Sequence, residues 1–390
     1  MCDINTVKLF RSTDTSAPPL SGTAGTLINV LSGCLNTGYG SVTLDSLVVT
    51  SNVATATKST GHGFTAAGAV NPVIRIAGAT PSGLNADYRV SISSANVFTF
   101  ATSGISDQTA TGTITAKRAP LDFTLPFTPT STKAVYQSSN VQGSQRLIRV
   151  DDSPNYSANV DMYEGMTNID TGSNRFNNAS FGWSRSYTTD GTARPWILVG
   201  DGRLFFMCVD FNSTGVYFAL QAFGDTQSFL VGDAYKSMLA GGVNGAGGTR
   251  PVAGVAVTGL THMDGSTNPG LIRLDRNYQG TSGGVNVLLS GHRIVPLYSG
   301  ISSIAIPDPI SGADIVLSSV TIQESNALLR GRMPGMYCIL NNLYDTSRQG
   351  TIIDSIAGLS GHSGIILMAL YPAANNHSGV LIDITGPWTY

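Results

Sequence analysis

Charge is scarce in this sequence: Asp, Glu, Lys and Arg make up 12% of 390 residues, and 22 basic against 24 acidic side chains leave a formal net charge of -2. There is no basic footprint. The longest positive clusters, Arg146 with Arg149 and Arg330 with Arg332, are far below what sequence-independent phosphate binding requires, so no specific nucleic-acid partner is expected. Only four cysteines occur, Cys2, Cys34, Cys208 and Cys338. None has paired or metal-ligand spacing, and their apolar surroundings point to buried free thiols in a chain that folds in a reducing compartment. No apolar run is long enough to span a bilayer, so no membrane partner is expected. The amino-terminal MCDINTVKLF lacks a positive segment followed by an apolar core, so no secretory signal is expected either. Heptads, collagen triplets and regular repeats are missing, which argues against a long fibre shaft.

What is abundant is glycine, 45 residues, together with short alternating runs of β-branched and aromatic residues. The profile is that of a mainly β protein with many tight turns. The length allows two or three domains, since one core stops growing near ~250 to 300 residues. The segment 41–118 is the clearest unit. Residues 53–57, 73–77, 88–92, 97–101 and 112–117 read as five short strands, joined at Gly61-His62-Gly63, at residues 81–85 and at Ser94-Ala95-Asn96 by turns whose Gly and Asn tolerate positive φ. A helix precedes this segment and a new pattern follows Ala119-Pro120, so 41–118 reads as a small antiparallel β-domain inserted into a larger one.

Those runs carry a resemblance. Val53-Ala54-Thr55-Ala56-Thr57, Gly61-His62-Gly63-Phe64, Ile76-Ala77-Gly78-Ala79-Thr80, Leu84-Asn85, Phe98-Thr99-Phe100 and Gly112-Thr113-Ile114-Thr115-Ala116 resemble a small β-module that recurs in structural proteins of tailed bacteriophages. Ala24-Gly25-Thr26-Leu27-Ile28, Arg149-Val150-Asp151-Asp152, Tyr163-Glu164-Gly165-Met166-Thr167 and Arg330-Gly331-Arg332-Met333-Pro334-Gly335 are similar to phage virion proteins encoded among tail genes. The resemblance touches most of the chain, and its motifs are structural. It implies a non-enzymatic virion component of the tail or baseplate, folded in the bacterial host cytoplasm, with other virion proteins and copies of itself as partners. A capsid decoration, neck or collar protein is the alternative. A tail protein that binds or depolymerises host-surface glycan is a further one.

The rest of the chain fits an α+β body around the module. Residues 7–10 form a strand. Leu27, Ile28, Leu31, Cys34 and Leu35 make a helical stripe, with Ser21 or Thr23 as cap and Gly38 as stop. Strands are expected near 123–136 and at 146–150, 157–163, 196–199, 204–209 and 216–222, and a second short helix at 231–239. These give a virion-anchoring α+β domain over 1–40 plus 119–240. A Gly-rich linker, 241–251, then leads to a C-terminal β-domain, 252–390, of sandwich or barrel type, with strands at 255–260, 270–274, 285–289, 294–297, 315–322, 335–340, 365–369 and 380–384.

No reactive constellation stands out. Asp151, Asp152, Asp161, Glu164 and Asp170 form the densest acidic cluster, and paired carboxylates run glycoside hydrolysis when a few ångströms apart. Turn and solvent-facing strand positions account for them better, because acidic residues are common in loops and nothing in the sequence fixes their geometry. Residues 170–174 and 264–270 have oxygen-rich composition but lack the distal Glu of a calcium loop. His62, His262, His292, His362 and His377 are far apart, without zinc-ligand spacing. Residues 358–364, GLSGHSG, miss the G-x-S-x-G spacing of a nucleophile elbow. Catalytic and metal sites are therefore expected to be absent, with no cofactor. Trp183 and Tyr187, in the polar stretch 171–194, are the contact candidates, because aromatic anchors serve sugar or protein binding. Burial beneath their own loop is the other reading.

Overall fold

The computed structural model describes residues 2–176, 181–213, 218–241, 272–280, 283–290, 317–324, 328–339, 349–354, 356, 359–371 and 376–390. The fold is mainly β, with every strand pairing antiparallel, and no sheet closes into a barrel among the described residues. The expected strands at 255–260 and 294–297, the 264–270 loop, His262, His292 and the Gly-rich run from 242 onward lie outside the described residues. No described helix is long and apolar enough to cross a membrane.

The module contains more strands than the alternation predicts, and they form two sheets. Tyr39–Thr43, Thr115–Arg118, Val73–Ala77 and Asp87–Arg89 make a four-stranded sheet; Ser91–Ile92, Val97–Ala101, Val53–Thr57, Ser46–Thr50 and Gln108–Thr109 make a five-stranded one. Leu47, Val49, Ala54, Phe98 and Phe100 from one sheet and Ile74, Ile76, Tyr88 and Ala116 from the other close a separate core. The expected single strand 88–92 serves both sheets: Tyr88 pairs with Ile74, Val90 is fully buried, and Ser91 pairs with Thr99. Strands that switch sheets in this way make the corners of a sandwich. Ser51 and Asn52, at φ 49° and 64°, form the two-residue turn that joins Thr50 to Val53, the positive-φ geometry a twisted hairpin needs.

The helix spans Thr26–Ser32 and continues as a π-helical turn, Gly33–Thr37, so that Leu27, Ile28, Leu31, Cys34 and Leu35 are all buried as the stripe requires. Gly38, at φ 71°, ends it, and a Cβ there would collide with the Arg118 carbonyl. The cap differs from expectation. The Ser21 hydroxyl accepts the Thr23 N–H instead, and the free N–H of Leu27 donates to Asp152 Oδ2 at 2.9 Å, from 125 residues away. A carboxylate suits the positive end of a helix.

The helix and a six-stranded sheet (Phe123–Thr124, Lys133–Ser138, Leu147–Asp151, Ser157–Met166, with Gly172–Arg175 and Phe181–Ser184 both on the 157–166 strand) share one core with Trp196, Leu198, Phe205, Met207, Val209 and Phe223. Those last residues are one face of a thirteen-stranded sheet. Its opposite face, with Val199, Phe206, Leu220 and Met238, packs against Ile365, Leu367, Leu381 and Ile382 from the far end of the same sheet. The sheet therefore folds over on itself. Leu204–Asp210 and Phe218–Asp225 lie between two cores and are buried at every position, which explains unbroken apolar runs where a half-wet strand would alternate.

Two expectations fail here. The predicted helix at 231–239 is a turn followed by the strand Ser237–Ala240: Val231 is 99% exposed, Gly232 has φ 74°, and Asp233 receives the Tyr235 N–H and the Ser228 hydroxyl. That local turn chemistry outcompetes a weak apolar spacing. The segment 241–251 does not separate two sheets either, because Met238 pairs with Leu274 and the strands on both sides feed one core.

Asp152 also meets Arg185, and both side chains are fully buried; the guanidinium further donates to the carbonyls of Asp152, Gly22 and Pro154. Burial pushes the Asp152 pKa up to about 6 against the pull of Arg185. Removing one partner strands the other inside, so Asp152→Ala should lose ~3 to 5 kcal/mol in urea denaturation at pH 7. Tyr390 ties the chain down elsewhere, its hydroxyl 2.8 and 2.9 Å from the two oxygens of buried Asp201, which has no cation within 4.0 Å among the described residues. Burial raises Asp201 from 3.8 to about 6. The folded chain then holds that proton more tightly than the unfolded chain, so this group's contribution to stability falls as pH climbs from 3.8 to about 6. The stability of Asp201→Asn relative to wild type should accordingly improve between pH 4 and pH 7, by on the order of 1 kcal/mol or more in urea titrations; a pH-independent difference would contradict the titration.

Candidate functional site at the root of the module

Charges from three stretches, 8–14, 75–89 and 118–122, converge where the module joins the body. Lys8, on the first strand Lys8–Arg11, is 4% exposed; its Nζ donates to Asp87 Oδ2 at 2.8 Å and to the Pro120 carbonyl. Asp87 sits on the module strand opposite Arg75, whose Nε and Nη2 reach its two oxygens at 2.6 and 3.0 Å. Arg75 Nη2 also donates to Asp122 at 2.6 Å, just beyond the module. A second knot forms around Asp14, whose carboxylate accepts Arg118 at 2.9 Å, Arg11 at 3.2 Å and the Tyr39 hydroxyl at 3.0 Å.

The electrostatics follow the geometry. Burial works to raise the Asp87 pKa, and the Arg75 hydrogen bonds with the Lys8 charge outweigh it, holding the carboxyl below its ordinary value. Burial opposes the charge of Arg75 as well, and the two carboxylates reverse that, raising its pKa. Tyr39 is pushed well up, first by burial. Further contacts brace the module: Cys2 N–H donates to the Asp87 carbonyl at 2.7 Å, and Ala69 N–H to Asp354 Oδ1 at 3.0 Å on the C-terminal part of the chain. Between the first strand and the module lies a pocket lined by Lys8, Arg11, Arg89, Arg118 and the 65–73 stretch. What this arrangement does chemically is immobilise: each buried charge is held by a partner across the joint.

The residues singled out by sequence lie elsewhere and apart. Trp183 is fully buried, its Nε1 donating to the Ala240 carbonyl at 3.0 Å and its ring edge-on to Phe205. It fills the core from the strand Phe181–Ser184 and presents nothing to a ligand. Tyr187 is half-buried against the same core. The acidic cluster is neutralised by cations: Asp151, Asp161 and Asp170 gather around Arg149 at 3.5, 3.9 and 2.5 Å, with Arg175 2.6 Å from Asp161 and Lys133 2.8 Å from Asp170, while Asp152 pairs with Arg185 and Glu164 with Arg276 at 2.5 Å. His62 is 3% exposed, stacked on Phe64 and 2.9 Å from the Ser94 carbonyl. His362 Nδ1 lies 2.9 Å from Asp383 Oδ2. Cys34, Cys208 and Cys338 are buried free thiols, Cys2 half-buried, and burial drives Cys208 up to about 12. Among the described residues no group of three or more His, Cys, Asp or Glu could hold a metal.

Sequence reasoning missed the root because its partners are remote: Lys8 and Asp87 are 79 residues apart, Asp14 and Arg118 are 104. A signal was present all the same. Arg75, Asp87, Arg89, Lys117 and Arg118 are charges in module strands otherwise built from Val, Ile, Ala and Thr, and charge in such a strand calls for a buried partner.

Replacing Asp87 with Ala should therefore leave buried Lys8 and Arg75 to share Asp122 alone, costing ~3 kcal/mol and opening the joint to limited proteolysis near residues 39–44 and 118–122 before the module itself is cut. No family model matches the chain, and no curated protein is similar to it, so the reading of function rests on its own residues.

Proposed function

We propose that this protein is a non-enzymatic structural subunit of a tailed-bacteriophage virion, placed at the tail or baseplate and acting through contacts with copies of itself and with other virion proteins. The observation that carries the reading is the treatment of charge at the module root. Lys8, Asp14, Asp87 and Arg118 are all buried and mutually satisfied, an arrangement that fixes one body against another instead of exposing groups to a substrate. A rigidly mounted module suits repeated contact in a symmetric assembly, where a small angular error at each joint would prevent closure. The sequence resemblance to phage tail-gene products supports the same role.

The acidic cluster suggested for sugar cleavage supports the structural reading too, since Asp152, Asp161, Glu164 and Asp170 each face an arginine. Purified phage particles should contain the chain at a copy number matching tail or baseplate symmetry, measured by quantitative mass spectrometry and located by labelled electron microscopy. Hundreds of copies per particle would move it to the capsid exterior or collar. Its absence from particles, or release of reducing ends from host-surface glycan by the purified protein, would overturn the proposal.

A further inference from the structure

We infer that the pocket at the module root is a binding site for a small oxyanion, seated between the guanidinium groups of Arg89 and Arg11. Four cationic side chains, Lys8, Arg11, Arg89 and Arg118, line this pocket, and no carboxylate does. The surrounding ion pairs leave the charge unbalanced. Four cations, Lys8, Arg11, Arg75 and Arg118, meet three carboxylates, Asp14, Asp87 and Asp122, within 4.0 Å, and Arg89 adds a fifth positive charge, an excess of two.

Arg89 is the centre of that excess. Its Nη1 donates to the Asn71 carbonyl at 2.8 Å and its Nη2 to the Val7 carbonyl at 2.9 Å, and among the described residues no carboxylate lies within 4.0 Å of it. Asp383 acts on it only from farther off and is itself hydrogen-bonded to His362. Carbonyl dipoles satisfy the guanidinium's hydrogen bonds and leave its charge uncompensated in a half-buried place. Arg11 and Arg118, across the pocket, share the single carboxylate of Asp14. A planar guanidinium is matched best by the two oxygens of a carboxylate or phosphate; the enclosed part of the pocket has room for about one water, so the oxyanion sits at its open mouth, where Arg11 reaches solvent.

Inorganic phosphate is the probe. The full chain should melt at a higher temperature in sodium phosphate than in sodium chloride of equal ionic strength and pH, by roughly 1 to 2 °C at tenfold excess over the dissociation constant, with a saturating dose dependence. Isothermal titration should give one site. Arg89→Gln should abolish the phosphate-specific increment, and Arg89→Lys, which keeps charge without the fork, should reduce it. An equal melting temperature for wild type in the two salts, or a full increment in folded Arg89→Gln, would sink the inference. Should Arg89→Gln fail to fold, Arg11→Gln decides, since that side chain is 24% exposed at the pocket: a diminished increment supports the site and an unchanged one overturns it. The outcome is independent of where the protein sits in a virion.

Discussion

Two strands without a wet face set the architecture. Leu204–Asp210 and Phe218–Asp225 are buried along their whole length, and strands of that kind demand apolar cover on both sides. One side is covered by the helix and the six-stranded sheet, the other by the far end of their own sheet. Both covers recruit the start of the chain, and the second recruits its last residues as well. Phe10 enters one core and Val7 the other, while Trp388 packs edge-on to Phe206. The body therefore cannot be cut between residues 240 and 272 without exposing a face of its central strands.

Scarcity of charge and its placement belong together. Much of the little charge the chain carries is inside: Lys8, Asp14, Arg118, Asp152, Arg185, Asp233, Glu324 and Arg330 are all buried. Arg330 shows the pattern in the strand Leu329–Ile339, meeting Asp233 at 2.8 Å and Glu324 at 2.6 Å. Buried pairs of this type contribute little net stability against an apolar replacement, yet they penalise every arrangement that separates them. In a protein whose strands are interchangeable runs of Val, Ile, Ala and Thr, such penalties pin register and orientation where hydrophobic contact alone would tolerate slippage.

Local pattern was legible in the sequence. Val53–Thr57, Val73–Ala77 and Val97–Ala101 lie where alternation places them, and the helical stripe from Leu27 to Leu35 is buried as its spacing requires. The inserted module was visible because its turns and alternation form a closed unit with a core of its own. What alternation could not supply was partnership. Residues 88–92 satisfy one period while joining two sheets, and the strands on either side of the Gly-rich run read as separate domains because pairing such as Met238 with Leu274 leaves no mark in either segment. The root of the module was hidden for the same reason. Trp183 fell in a polar stretch, yet its indole reaches from the six-stranded sheet to Ala240 on the thirteen-stranded one, and nothing near residue 183 announces that partner.

The entry and exit of the module are themselves neighbours in a sheet, Thr43 opposite Thr115 and Val42 opposite Ala116, with Gly38 packed against the Arg118 carbonyl and Pro120. An insertion whose ends touch can be exchanged as a cassette, because the host scaffold sees the same short gap whatever fills it. Lys8, Asp14 and Asp122 stay with the scaffold while Arg75, Asp87 and Arg118 travel with the insert, so a foreign cassette would have to bring matching ionic groups to be seated at the same angle.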